Sequence, residues 1–260
     1  MKWYILTDLE GACRVDSWKQ CVPDEPDPYK LAAKGFLTAE VNAAVAGLYD
    51  ADAGAEVYVL DGHGNGGIDM RLLDGRAWLI SGRSKRPNGL DGSFAGELWV
   101  GQHAMAGTPA ATLCHTQSHI SIEFFELNGR EMGEFGCRAA MAARFGVPPI
   151  FLSGDDKATL EAEALVPGIV TAVTKIGLGV EAAMHRPPDQ VHADIRAGAK
   201  AAALRCEEIV FEPLRPPYRL VTRVLPGCDI EGYLRHGPWV RRLDERTVEA
   251  VTDDLCELWI

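Results

Sequence analysis

Several absences narrow what this chain can be. It has no Lys/Arg run long enough to hold a phosphate backbone, no apolar stretch of membrane-spanning length and no Cys-x-x-Cys pair. Asp and Glu number 37 against 26 Lys and Arg, and the formal charge of −11 repels nucleic acid and anionic lipid alike. Neither partner is expected. The one basic stretch, Arg83-Ser84-Lys85-Arg86, is too short to reverse that field and reads as a solvated loop. The seven cysteines (Cys13, Cys21, Cys114, Cys137, Cys206, Cys228 and Cys256) are odd in number and irregularly spaced, which suits reduced thiols rather than a disulfide framework. The N-terminus runs directly into Trp3-Tyr4-Ile5-Leu6, too short for a signal-peptide core, so a cytoplasmic location is expected.

What remains is the composition of an ordinary globular protein, 47% apolar and 24% charged over 260 residues. Short β-type runs alternate with helical periodicity, the pattern of helices covering a largely parallel sheet. Strands are expected at residues 3–7, 56–60, 77–80, 97–100, 120–127, 150–152 and 169–174. Asn128-Gly129 marks a tight hairpin, because both residues tolerate positive φ. Helices are expected at residues 39–48 with Thr38 as N-cap, and at 133–145, 157–165 and 190–208. Pro213, Pro216 and Pro217 break the pattern, with a strand at 218–224 and a final helix at 245–258 beyond them. The expected fold is a three-layer αβα domain over residues 1–212, with a smaller C-terminal lobe at 213–260 packed on it.

Five side chains in this frame suggest a metal centre. Asp8 and Glu10 end the first strand two positions apart, so strand alternation projects both carboxylates from one face. Two like charges side by side call for a cation, although a solvent-facing pair is the blander alternative. His63 and His103 each fall just past another strand, and in α/β sheets ligands collect at the carboxyl ends of strands. Glu134, in Gly133-Glu134-Phe135-Gly136, opens a helix; alone it would merely complement the helix dipole. Together these three carboxylates and two imidazoles suit two divalent ions, with zinc favoured by the imidazoles.

The same residues resemble the D-aminopeptidase family of zinc peptidases, the dipeptide transport protein A-like enzymes. The resemblance runs through Asp8-Leu9-Glu10-Gly11, Asp61-Gly62-His63 and Gly101-Gln102-His103-Ala104, then Thr108-Pro109 followed by His115. It continues through Asn128-Gly129, Gly133-Glu134-Phe135-Gly136 and Gly154-Asp155-Asp156, and fades beyond about residue 210. Residues 12–28 and the shorter C-terminal lobe depart from the typical member. The resemblance implies that Asp8, Glu10, His63, His103 and Glu134 hold two zinc ions per chain, that His115 is the catalytic residue, and that chains assemble into a homo-oligomeric ring, a decamer.

The implied activity is release of an N-terminal residue, including a D-amino acid, from short peptides. An amino-acid amidase at the same metals is the near alternative. Metal-dependent phosphoester hydrolysis ranks lower, since no Arg clamp is evident beside the ligands; a non-catalytic dipeptide-binding protein is the remaining class. Asp8 is the expected bridge between the two ions. His115 suits proton transfer or oxyanion donation better than nucleophilic attack, because paired metals already activate water; a third metal-binding imidazole or a packed core histidine is the alternative. His119 reads as structural, and Asp61, Asp155 and Asp156 as either orienting acceptors or turn formers. His185, His192 and His236 carry no ligand spacing, and Cys114 has no visible partner for nucleophilic chemistry.

Overall fold

A computed structural model describes residues 1–22, 27–82 and 85–260. Arg83 and Ser84 of the basic stretch, and residues 23–26 of the divergent segment after Glu10, lie outside the described residues.

Along the chain the first elements are β1 (Lys2–Thr7), α1 (Trp18–Cys21), α2 (Pro28–Ala51), β2 (Glu56–Asp61), β3 (Trp78–Ile80) and β4 (Gly96–Gln102). There follow β5 (Ile122–Leu127), β6 (Arg130–Glu131), α3 (Glu134–Arg144), β7 (Pro149–Asp155), α4 (Asp156–Leu165), β8 (Val170–Gly179), β9 (Ala182–His185) and α5 (Pro188–Leu204). The last are β10 (Tyr218–Val224), α6 (Glu231–Leu234), β11 (Val240–Arg242) and β12 (Thr247–Thr252).

The central sheet has the order β3-β2-β1-β4-β7-β8-β9, parallel throughout except for the edge strand β9. Covered on both faces, β1, β4 and β7 are almost continuously buried, with apolar runs at their centres. Helices α2 and α5 pack on each other and on the sheet, and α3 and α4 form a second pair over β4, β7 and β8. Right-handed crossovers leading to opposite edges of the sheet put these pairs on opposite faces. The result is the expected αβα layering.

Helix α3 is covered on both sides. Phe135, Ala139 and Ala142 face the central sheet, while Cys137, Ala140 and Met141 join the core of a second, antiparallel sheet ordered β11-β12-β10-β5-β6. This second sheet takes β5 and β6 from the middle of the chain and β10 to β12 from its end, so the smaller lobe draws chain from both sides of residue 213. The helix expected at 245–258 is instead β12 followed by a short 3₁₀ turn at Leu255–Glu257. Val248 and Ala250 bury one face there while Thr247 and Glu249 pair across the strands, and this two-residue alternation overrides the helical reading.

Thr38 is not an N-cap. Helix α2 begins at Pro28, where Asp27 accepts from the amides of Tyr29 and Lys30, and Thr38 lies buried mid-helix donating to the Lys34 carbonyl. All seven cysteines are free thiols. Among the described residues no helix is long and apolar enough to cross a membrane.

Candidate metal centre

The change of direction in the strand order falls between β1 and β4, the place where open α/β sheets leave a ligand crevice. Asp8 and Glu10 follow β1, His63 follows β2 and His103 follows β4. The acids are not themselves in a strand, because β1 ends at Thr7. They sit in a turn held against the end of β4 by Asp8 N–H to Val100 O (2.9 Å) and Gly11 N–H to Gly101 O (2.8 Å). A Cβ on Gly11 would lie 1.9 Å from the Gln102 carbonyl oxygen, so glycine is required there for the close approach of two backbones.

Below this turn lies a residue that sequence reasoning passed over. Lys175 is fully buried on β8, and its ammonium donates to the carbonyls of Glu10, Ala12 (3.0 Å) and Val15. Thr174 adds a hydroxyl bond to the Gly11 carbonyl at 2.6 Å. A lysine in an otherwise uncharged strand was the available signal, since a buried charge persists only with partners.

The five predicted ligands and His115 converge as two groups, Asp8/Glu10/His63 and His103/His115/Glu134, within each of which the ligand atoms lie within 4.8 Å of one another. His63 Nδ1 stands 3.2 Å from Asp8 Oδ1 and 3.1 Å from Glu10 Oε2. His103 Nε2 stands 3.1 Å from Asp8 Oδ2 and 3.4 Å from Glu134 Oε1, and His115 Nε2 is 3.6 Å from the same Glu134 oxygen. One carboxylate, Asp8, thus faces both groups.

The second nitrogen of each ring is committed to backbone: His63 Nε2 to Cys21 O (3.1 Å), His103 Nδ1 to Ala104 O (2.9 Å) and His115 Nδ1 to Leu113 O (2.9 Å). A carbonyl only accepts, so those nitrogens carry the hydrogen, and in a neutral ring the other presents a lone pair to carboxylate oxygens. Lone pairs facing lone pairs need a cation between them. Asp8 Oδ2, Glu10 Oε2 and His103 Nε2 are buried with no hydrogen-bond partner, which is the donor set expected around divalent ions.

With protein groups alone, protons take the cation's part. Burial pushes the His63 imidazole down, but Glu10 and Asp8 outweigh it and hold its pKa up at about 10; Asp8 and Glu134 act likewise on His103. Burial pushes the carboxylates up, yet His63 holds Glu10 well below its ordinary value, and His103 holds Glu134 at about 2.

A model of the D-aminopeptidase family matches residues 1–259. This chain belongs to the D-aminopeptidase family. It is 31% identical over 236 residues to a D-aminopeptidase of Bacillus subtilis (strain 168), covering 86% of this chain and 81% of that protein. A solved structure from Bacillus subtilis, the Zn-dependent D-aminopeptidase DppA, described as a self-compartmentalizing protease, matches with a TM-score of 0.90 at 26% identity, over 99% of this chain and 93% of that one.

The other sequence candidates have structural work in this chain. Asp61 accepts from the amide of Gly67 and shapes the His63 turn; Asp155 caps α4, and Asp156 accepts from Gly177 N–H. His119 stacks on Trp18 at 4.0 Å between centroids, and Trp18 also meets the His115 ring edge-on at 5.6 Å. His185 fastens Arg14 and Asp16, while His236 packs on Trp259. Burial pushes the Cys114 thiol up, away from the thiolate that nucleophilic attack needs. A cavity of about 1000 Å³ lined by Asp8, His63 and Glu134 also contains Arg86 and Arg138, two guanidiniums that sequence spacing did not associate with the ligands.

Proposed function

We propose that the protein is a zinc-dependent aminopeptidase that releases an N-terminal residue, including a D-amino acid, from short peptides at a two-metal centre. The observation that carries this reading is the Asp8 carboxylate, whose two oxygens face His63 and His103 separately and so link two ligand groups. Asp8, Glu10 and His63 would hold one ion, and Asp8, His103 and Glu134 the other. The similarity to a Zn-dependent D-aminopeptidase supports zinc. Bound there, such ions polarise the scissile carbonyl and lower the pKa of water from 15.7 to about 7.

The chain's own groups do the rest. Backbone carbonyls fix the ring orientations, Asp8 sets the separation of the two sites, and Trp18 with His119 covers one side of His115. His115, with Nε2 directed at Glu134 and its other nitrogen held by Leu113, is placed to carry a proton to the leaving amine. Zinc content and hydrolysis should be measured together. The wild type is expected to bind about two ions, consistent with paired-metal chemistry. Glu10→Ala should lose metal, whereas His115→Ala should keep both ions and lose about 10²- to 10⁴-fold in kcat. Loss of an ion from His115→Ala would make that residue a ligand instead.

Turnover of D-Ala-D-Ala, L-Ala-L-Ala and alaninamide separates peptidase from amidase; inactivity on all three with zinc bound would refute both. The self-compartmentalizing relative supports a closed homo-oligomer, with a decamer tested by solution mass against the 28.2 kDa chain. Seven unpaired thiols support a cytoplasmic location, which fractionation of the producing cells would check.

A further inference from the structure

Arg86 and Arg138 line the same cavity as Asp8, His63 and Glu134. Arg138 lies four residues after Glu134 on α3, hence one turn along the same helix face. Its guanidinium donates to Asn88 Oδ1 at 3.1 Å and to nothing else among the described residues, and Arg86 has neither a hydrogen bond nor an ion pair there. Ten N–H donors are thus almost entirely unspent. Burial, reinforced by the like charge of Arg138, pushes Arg86 down from its ordinary value.

Among the described residues no carboxylate of the cavity forms an ion pair with either guanidinium: Asp254 pairs with Arg144, Asp8 and Glu134 face histidines, and Asp61 and Glu257 accept from neutral donors. Glu97 lies near Arg138, but burial pushes it up to about 8, so it is largely protonated at neutral pH. Two half-buried cations left beside each other cost stability unless a ligand supplies the anion.

We propose that Arg86 and Arg138 form the subsite for the free C-terminal carboxylate of the substrate, which makes that substrate a di- or tripeptide acid rather than an amide. This deepens the aminopeptidase reading and rests on it. The dimensions agree: in a dipeptide the scissile carbonyl and the carboxylate are one residue apart, at most about 3.6 Å, and one helical turn of about 5.4 Å plus a flexible arginine spans that offset. Peptide chemistry at the metal ligands makes the anion a carboxylate, and guanidinium binds carboxylate through two parallel hydrogen bonds.

The test compares D-Ala-D-Ala with its C-terminal amide, using zinc-loaded wild type, R86Q, R138Q and the double variant. The wild type should prefer the acid. Each variant should raise KM for the acid about 10- to 100-fold, as expected for losing a charge-assisted bond, with kcat and all constants for the amide changed little. Equal losses on both compounds, or no loss on the acid, would overturn the proposal. Should the wild type hydrolyse neither compound, the aminopeptidase reading fails, and calorimetric titration still decides the subsite. There, binding of the acid by wild type but not by the double variant sustains it; equal binding of acid and amide sinks it.

Discussion

At the residue scale, the candidate ligands were legible because carboxylates and imidazoles at strand ends have few structural reasons to gather. Asp8, Glu10, His63, His103 and Glu134 do meet in one place. Arg86 and Arg138 were not legible, since their 52-residue separation carries no spacing signal and only the fold puts them in one cavity. Buried acids away from the centre give a pH prediction. Glu40 is fully buried on α2, accepts from the amide of Cys13, and is pushed by burial from 4.5 to about 8. A carboxyl with a raised folded pKa keeps a proton that the unfolded chain releases. Its contribution is therefore full below pH 4.5 and is lost as pH rises to 8. Urea denaturation of the wild type should show stability declining across that window, and Glu40→Gln should flatten the decline; an unchanged slope would refute the assignment.

At the element scale, the decisive piece is the turn from residue 8 to residue 15. It is gripped by Lys175 and Thr174 from β8, by Glu40 from α2 and by His185 from β9. Lys175→Met should leave three carbonyls without their donor, at about 1–3 kcal/mol for each that stays buried, and should weaken zinc binding about 10- to 100-fold while Glu10 itself is intact. Calorimetry and zinc titration would check both effects; loss of stability with unchanged zinc affinity would show that the grip does not position the ligand. Packing of α2 on α5 has a similar single point of control. A Cβ on Gly47 would come 2.2 Å from the Arg196 carbonyl, so Gly47→Ala should force the helices apart and lower the melting temperature by several degrees, as a loss of about 1–3 kcal/mol would.

At the scale of the whole molecule, the two candidate ligand groups join the ends of β1, β2 and β4, the start of α3 and the loop that carries His115. Ions bound only by the folded state stabilise it by mass action, about 2.7 kcal/mol per site at a free concentration 100 times Kd. Chelation should therefore lower the melting temperature, and zinc should restore it in a concentration-dependent way. A melting curve indifferent to chelator would contradict the assignment of these residues as ligands.

The sequence by itself determined the alternation of strands and helices and marked the strand ends that carry the candidate ligands, because periodicity and the polarity of short segments are local properties. It also carried the family's motifs in order. Tertiary structure decided what depends on pairing at a distance. It joined β5 to β10 in the second sheet, turned the last expected helix into β12, drove Lys175 beneath the turn that carries Asp8 and Glu10, and placed two arginines in the cavity that the candidate ligands line. Those outcomes follow from which surfaces exclude water together, and no stretch of chain contains that information alone.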